Sequence, residues 1–264
     1  MKIAIVSLDQ KWEAKEENLL QCRRYIEKAA SSQCDMILFP EMTLTGFSMD
    51  TQKLSEDDTS PETLEAFRKE AAAKSIAIVF GYIRSTGEGA ENVLVYLDRC
   101  GEINCEYVKI HPFSYAGEDR FYKPGDTLSV GEVNGCVIGM SICYDLRFPE
   151  LYTALRREGS EIIVNIANWP QKRVEHWRTL LRARAIENQV FMIGVNRTGE
   201  DGSGLKYVAS SMIVSPEGEP LEPTKQAGVY AEYDLDMEKL ATYRESFPVH
   251  QDRKEKLYKR WNSC

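Results

Sequence analysis

The stretch CVIGMSICYDLRFPELYTALRREG, residues 136–159, changes abruptly from one kind of secondary structure to another. The apolar run over 136–142 is typical of a strand that is buried on both faces. Pro149 opens a helical pattern that stops at Gly159. A strand followed at once by a helix is a building unit of α/β sheets, so this stretch predicts an α/β fold with Cys143 at a strand end.

Similar apolar, β-branched runs recur along the whole chain and predict ten strands. Helical spacing lies between some of them, at about 19–30, after Ser60-Pro61 and at about 174–187, and short turns at 86–92 and 99–102 predict hairpins. Helices that alternate with hairpins favour two mixed sheets packed face to face, with a helical layer outside each. The predicted strands are 2–8, 35–39, 76–83, 93–97, 103–109, 136–142, 161–166, 189–195, 208–214 and 227–233.

The length of 264 residues suits one large domain or two small ones. No Pro- or Ser-rich linker, low-complexity tract or charge block divides the chain, which favours a single domain over 1–264. Residues 40–60 form a polar stretch that is long enough to be a functional or mobile loop. The last twenty residues, from Glu245, are interpreted as an extended tail.

Composition excludes several classes of protein. A net charge of −8 provides no basic surface for nucleic acid, and no apolar run approaches the length of a membrane span. Seven cysteines without CxxC spacing and three scattered histidines argue against a disulfide framework or a metal site. We therefore expect a soluble, cytoplasmic protein whose catalysis, if any, works largely without imidazole.

Three polar residues each follow a predicted strand: Glu41, Lys109 and Cys143. Ligands bind at the carboxyl ends of strands in open α/β sheets, and a thiol in the turn after 136–142 is expected to be exposed. With no histidine expected nearby, Glu41 is the candidate base for this thiol, and Lys109 is the candidate cation for a thiolate and an oxyanion. Taken singly, each residue could instead be structural: a loop carboxylate, a surface lysine or a core cysteine.

The segments around these residues are FPEMTLTGF (39–47), YVKIHPF (107–113) and SICYDLRFPEL (141–151). In this order they resemble the three catalytic motifs of the carbon-nitrogen hydrolase (nitrilase) superfamily, and the resemblance extends from residue 2 to about 260. Further downstream, VNIANWP (164–170) and RARAIENQ (182–189) resemble the omega-amidase branch. The resemblance implies a four-layer αββα sandwich, which agrees with the two predicted sheets.

The same resemblance implies a role for each motif residue. Cys143 corresponds to the nucleophile, Glu41 to the general base and Lys109 to the cation at the tetrahedral intermediate. The backbone N–H of Tyr144 would be a second oxyanion donor. Glu118 matches a supporting glutamate near the triad, although an acidic residue there could also be only a turn former. Attack on an amide would release ammonia and leave a thioester that water hydrolyses, without a metal or an organic cofactor.

Substrate-binding residues are less sharply indicated. Arg147 could bind a substrate carboxylate, or it could anchor the turn by pairing with Asp145 or Glu150. Asn168 and Trp169 are expected to face the pocket, although a turn after a strand explains them equally well. The arginines at 173, 178, 182 and 184 are interpreted as one solvated, salt-bridged helix face, because Glu175 and Glu187 share that segment.

The function that this resemblance implies is a thiol amidase acting on a small carboxamide, with omega-amides of α-keto acids as the expected substrates. An N-carbamoyl amine or amino-acid amidohydrolase would use the same triad and remains an alternative. A non-catalytic interaction subunit is disfavoured because it has no need of all three residues. Members of the family usually dimerise, and we expect 245–264 to lie at a homodimer interface, with a tail folded on its own domain as the alternative.

Overall fold

Two large mixed sheets pack face to face in the computed structural model, which describes residues 1–261. Helices cover the outer face of each sheet, so the predicted four-layer αββα sandwich is confirmed. The strands are β1 (Lys2–Val6), β2 (Met36–Leu38), β3 (Ala77–Ser85), β4 (Ala90–Leu97), β5 (Ile103–Val108), β6 (Val130–Val133), β7 (Cys136–Ile142), β8 (Ile162–Ala167), β9 (Phe191–Asn196), β10 (Gly199–Glu200), β11 (Lys206–Tyr207), β12 (Met212–Val214), β13 (Lys225–Ala227) and β14 (Tyr230–Asp234).

The first sheet has the order β13-β14-β1-β2-β3-β4-β5, and the second has the order β12-β9-β8-β7-β6. In each sheet the three central strands, β1-β2-β3 and β9-β8-β7, run parallel, and the flanking strands are antiparallel. The helices are α1 (Lys15–Ser31), α2 (Thr51–Leu54), α3 (Glu62–Lys74), α4 (Pro149–Arg157), α5 (Val174–Asn188), α6 (Met237–Ser246) and α7 (Glu255–Trp261).

The alternation of side chains along β1 shows how the layers form. Ile3 and Ile5 lie in the core between the two sheets, whereas Ala4 and Val6 lie in the core beneath α1 and α3. Successive residues of a strand point to opposite faces, so an uninterrupted apolar run can serve both cores. This is why the buried strands were recognisable in the sequence as continuous apolar segments.

Helix α5 lies unusually close to the second sheet at Gly194 in β9. A Cβ atom at this position would be 2.4 Å from Leu181 Cδ1 and 2.8 Å from the ring of Trp177. Only glycine allows this approach, because contacts below about 3 Å are repulsive. The close packing fixes α5 and the segment before it against the strand ends.

The segment 40–60 is irregular apart from the short helix α2, and its first part is tightly hydrogen-bonded. Thr43 Oγ1 donates to Pro40 O at 2.7 Å and accepts from Gly81 N at 3.0 Å. Gln10 Nε2 donates to three successive carbonyls, those of residues 41, 42 and 43. These hydrogen bonds fix the loop that begins at Pro40, directly after β2.

The interpretation of the last twenty residues as an extended tail is wrong. The segment continues from α6 through a 3₁₀ helix, Val249–Asp252, into α7. Leu257, Tyr258 and Trp261 are spaced by one and three residues, a helical pattern rather than the alternation of a strand. Gln189 Nε2 donates to Phe247 O at 2.8 Å, so the segment folds back on its own chain. Residues 262–264 lie outside the described part.

Strand β6 was not predicted from the sequence, because only two of its four residues are apolar.

None of the helices within residues 1–261 has both the length and the apolar content of a membrane span. The six cysteines described in that range are free thiols.

Candidate active site

Glu41, Lys109 and Cys143 each lie in the segment that directly follows a strand, β2, β5 and β7 respectively. The Lys109 Nζ atom lies 2.9 Å from Glu41 Oε1, and both side chains are almost completely buried. Cys143 is in the wall of the adjoining cavity. The structure therefore brings together three residues that are more than 30 positions apart in the sequence.

The ammonium group of Lys109 is shared between two carboxylates. Besides Glu41, it donates to Glu118 Oε1 at 3.0 Å and to Glu118 Oε2 at 2.8 Å. Burial alone would lower the pKa of Lys109, but the charges of Glu118 and Glu41 outweigh it and raise the pKa well above its usual value. Lys109 is therefore a permanent cation.

Glu118 is fully buried and both of its oxygens accept from Lys109, so the alternative in which it is only a turn former is wrong. Burial raises its pKa, although the neighbouring charge of Lys109 opposes this rise. One residue of this cluster was missed from the sequence: Asn92 Nδ2 donates to Glu41 Oε1 at 2.8 Å and to Glu118 Oε1 at 3.0 Å. Asn92 stands directly before the apolar part of β4, at the end of the predicted turn over 86–92, and no local pattern marks it as a site residue.

Asn168 binds the second carboxylate oxygen of Glu41, Oε2, whereas Lys109 and Asn92 bind Oε1. The Asn168 backbone N–H donates to Glu41 Oε2 at 2.9 Å, and its side-chain Nδ2 donates to the Glu41 carbonyl at 2.6 Å. Both oxygens of the Glu41 carboxylate are thus held by hydrogen bonds, and the loop after β2 is tied to the turn after β8. Asn168 also borders the cavity, as expected.

Cys143 differs from the expected exposed thiol. It is the first residue of a 3₁₀ helix, Cys143–Arg147, has a φ of +46°, and is only 9% exposed. Burial and the charge of Glu41 raise its pKa well above the usual value, with Lys109 only partly opposing them. The resting side chain is therefore a protonated thiol, because burial disfavours the charged thiolate and the negative charge of Glu41 adds to this effect.

A cavity of about 370 Å³ opens above Cys143. Its wall includes four of the other residues singled out from the sequence: Tyr144, Arg147, Asn168 and Trp169. The remaining wall residues are mostly aromatic and apolar, with Arg173 and Asp201 as charged members: Trp12, Phe47, Met49, Phe113, Ala116, Pro170, Arg173, Asp201, Ser203, Leu205 and Tyr207. This size and composition are typical of a site for a small molecule.

Arg147 is a wall residue and not an anchor of the turn. Its guanidinium lies 4.8 Å from the centre of the Trp169 ring, and Nη2 lies 3.4 Å from His176 Nδ1. Arg147 forms no ion pair with any residue of the described range, 1–261. Asp145, one of its two suggested partners, is occupied by other donors.

Arg173 was wrongly assigned to a salt-bridged helix face. It belongs to a 3₁₀ turn, Gln171–Arg173, that precedes α5, and its guanidinium lies 5.4 Å from the Phe113 ring centre in the cavity wall. The ion pair expected for that face does form at Arg178, which lies 2.7 Å from Glu175. Helical spacing placed Arg173 on the same solvent-facing side as Arg178. Because Arg173 lies in the turn before α5, its side chain extends instead into the cavity wall.

Within residues 1–261 there is no group of three or more His, Cys, Asp or Glu side chains placed to hold a metal ion. The acidic residues of the site are instead hydrogen-bonded to lysine and amide donors. The chemistry available is that of a thiol, a carboxylate pair and a lysine.

Known proteins are similar to this chain in both sequence and fold. The sequence profile of the carbon-nitrogen hydrolase family matches residues 2–245. An omega-amidase (YafV) of Yersinia enterocolitica is 34% identical over 257 residues, which are 96% of each chain. A 2-oxoglutaramate amidase of Bacillus subtilis is 30% identical over 258 residues, which are 97% of this chain and 98% of its own.

A solved structure from Xanthomonas campestris is similar over the whole fold. This carbon-nitrogen hydrolase superfamily protein, which carries an arsenic adduct in its active site, matches with a TM-score of 0.88 at 29% identity and covers 96% of this chain and 97% of its own. The chain therefore belongs to the carbon-nitrogen hydrolase family. It is a hydrolase that acts on carbon–nitrogen bonds, and the resemblance to the omega-amidase branch is confirmed.

The raised pKa of Cys143 predicts slow thiol labelling at neutral pH. A thiolate forms as the pH rises through the thiol pKa, so at pH 7 methyl methanethiosulfonate should modify the exposed Cys100 well before Cys143. The rate at Cys143 should still be rising above pH 9, and Lys109→Met should lower it further by removing the opposing charge. Peptide mass mapping gives both rates. Preferential labelling of Cys143 at pH 7 would contradict a protonated resting thiol.

Proposed function

We propose that this hydrolase cleaves a small linear carboxamide through a thioester on Cys143, and that its substrates are omega-amides carrying a carboxylate at the far end, α-keto acid amides above all. The observation that carries the proposal is the buried Glu41–Lys109–Glu118 cluster beside a thiol, in a cavity that also contains two guanidiniums. The omega-amidase and 2-oxoglutaramate amidase relatives support the same substrate class.

In the first half-reaction, Glu41 acts as the general base. It removes the proton of the Cys143 thiol as the sulfur attacks the amide carbonyl, which suits a thiol that is protonated at rest. Lys109 and the backbone N–H of Tyr144 stabilise the oxyanion that develops. Glu41 then returns the proton to the leaving nitrogen, so that ammonia departs and the acyl group remains on sulfur.

In the second half-reaction, Glu41 deprotonates a water molecule that attacks the thioester. A second tetrahedral intermediate forms and collapses, with the proton returned to the Cys143 sulfur as the acid product leaves. Lys109 stays charged throughout, because its pKa is raised well above neutrality. Every step uses groups of this chain and water.

Glu118 and Asn92 support these steps without reacting. Glu118 holds the ammonium of Lys109 through both of its oxygens, and Asn92 bridges the two carboxylates. A buried ammonium needs such partners, because an unpaired charge in the interior is strongly destabilising. Their proposed role is to fix Lys109 between Glu41 and the position of the oxyanion.

The substrate carboxylate is proposed to bind Arg147 and Arg173. Both guanidiniums lie in the cavity wall over aromatic rings, and neither has an ion pair within the described residues. A planar guanidinium without an acidic partner is well suited to bidentate binding of a carboxylate. Hydrolysis of an N-carbamoyl compound would release carbon dioxide as well as ammonia. Analysis of the products therefore distinguishes an N-carbamoyl amidohydrolase from an omega-amidase.

Ammonia release from a panel of substrates tests the proposed mechanism. Cys143→Ala should abolish turnover of 2-oxoglutaramate and leave the fold intact, because the substitution removes a single sulfur atom at the cavity wall. Lys109→Ala and Glu41→Gln should each reduce kcat about 100-fold or more, which corresponds to about 3 kcal/mol. Circular dichroism serves as the control for folding. Substantial turnover by Cys143→Ala would exclude the covalent mechanism, and preferred release from an N-carbamoyl compound would favour the alternative.

The two arginines should affect only substrates that carry a carboxylate. Arg147→Met and Arg173→Met should each raise KM about tenfold or more for such an omega-amide, because a charge-assisted hydrogen bond contributes about 1.5 to 3 kcal/mol. An uncharged amide of the same length should change less than about twofold. Arg178→Met, an exposed arginine on α5, is the matched control. Equal loss with both substrates would show that the arginines only pack against the rings.

We also propose that the chain forms a homodimer through its C-terminal segment. Phe247 and Trp261 are 55% and 60% exposed, although the segment is otherwise folded against its own chain. Exposed aromatic residues of this size are typical of contact surfaces between proteins. Light scattering at micromolar concentration should give twice the mass of one chain. A monomeric mass would exclude the proposal.

A further inference from the structure

The carboxylate of Asp145 has no part in the mechanism above, yet four donors converge on it and it is fully buried. Its Oδ2 atom accepts from Ile142 N at 2.9 Å and from the Tyr107 hydroxyl at 2.8 Å. Its Oδ1 atom accepts from His111 N at 3.1 Å and from His111 Nδ1 at 2.7 Å. With this many donors around one carboxylate, Nδ1 of His111 carries the hydrogen.

These donors belong to the two segments that hold the nucleophile and the cation. Ile142 immediately precedes Cys143, and Tyr107 and His111 lie two residues before and after Lys109. One carboxylate thus holds the Tyr107 side chain before Lys109, the His111 main chain after it, and the start of the turn at Cys143. The segment with Lys109 belongs to β5 of the first sheet and its following loop, and the segment with Cys143 belongs to β7 of the second sheet and its following turn, so the contact also joins the two sheets at the site.

A histidine near Cys143 was not expected from the sequence, but His111 is tied to the turn in two ways. Besides the hydrogen bond from Nδ1, its ring stacks on Phe148, with 3.9 Å between ring centres and 13° between ring planes. Phe148 follows the last residue of the 3₁₀ helix that begins at Cys143. The ring and its N–H are separate contacts, so different substitutions can remove them one at a time.

We infer that Asp145 is the positioning residue of this active site, and that the Nδ1–H of His111 holds its carboxylate in place. Asp145 sets the distance and direction of the Cys143 sulfur relative to Lys109, and it holds the turn that gives Cys143 its positive φ. Small misplacements of reacting groups reduce turnover strongly while they leave binding nearly unchanged. The inference rests on the proposed roles of Cys143 and Lys109, but on no particular substrate.

The chemistry of the contact explains why a carboxylate is required. Each oxygen of Asp145 accepts one main-chain N–H, from Ile142 on one side and from His111 on the other. A main-chain N–H cannot become an acceptor. An asparagine in either orientation would therefore place its NH₂ group against one of them. Asp145→Asn should lower kcat about 100-fold.

His111 offers a matched pair of variants. The NH₂ group of an asparagine can take the place of Nδ1, so His111→Asn keeps the donor and loses the stacked ring. Conversely, His111→Phe keeps a ring to stack on Phe148 and loses the donor. We expect kcat to fall tenfold or more in His111→Phe and less than threefold in His111→Asn, with KM within twofold of the unsubstituted enzyme in both.

Steady-state kinetics on any amide that the enzyme hydrolyses measures these values, with thermal unfolding as the control for folding. The double variant His111→Phe/Asp145→Asn should lose little more than Asp145→Asn alone, because both changes act on the same contact. If His111→Asn loses as much as His111→Phe, or if the loss appears in KM, the inference is wrong. If Asp145→Asn does not fold, the His111 pair still decides. Activity in Cys143→Ala would instead contradict the proposed function itself.

Discussion

The site depends on one buried interaction, in which the ammonium of Lys109 lies between the carboxylates of Glu41 and Glu118. A cation in the interior is stable only when it is paired, and removal of one partner leaves an uncompensated charge. Glu41 comes from the loop after β2, whereas Lys109 and Glu118 both come from the connection after β5, so their pairing fixes these two loops together. Cys143 arrives from the second sheet, which places the site at the junction of the two sheets.

Burial and the charges of this cluster determine how the thiol can be used. Burial disfavours a thiolate at Cys143, and the negative charge of Glu41 adds to this effect while Lys109 only partly opposes it, so Cys143 is held as a thiol. Thiol enzymes with a histidine partner keep a preformed ion pair. In this protein the proposed activation occurs only when a carbonyl is in place to accept the sulfur. A protonated resting thiol is also less open to oxidation, because oxidants react with the thiolate.

Much of this arrangement could be predicted from the sequence, because strand ends and motif residues are local features. Glu41, Lys109 and Cys143 each follow an apolar, β-branched run that is recognisable in the sequence as a buried strand. Arg173 could not be assigned, since its direction depends on a 3₁₀ turn that replaces the expected first turn of α5. Asn92 and the Asp145–His111 contact were missed for a different reason. Each joins residues that are far apart in the chain, and no local pattern encodes such a distance.

The distribution of charge within the cavity gives the proposed reaction a direction. The negative cluster lies close to Cys143, and the guanidiniums of Arg147 and Arg173 lie in the cavity wall. A substrate with one carboxylate is attracted to the arginines and repelled by the cluster, so its uncharged amide faces the thiol. Hydrolysis converts that amide into a second carboxylate beside Glu41 and Glu118. The product is then repelled from the end where it was formed, and this repulsion favours its release over the reverse reaction.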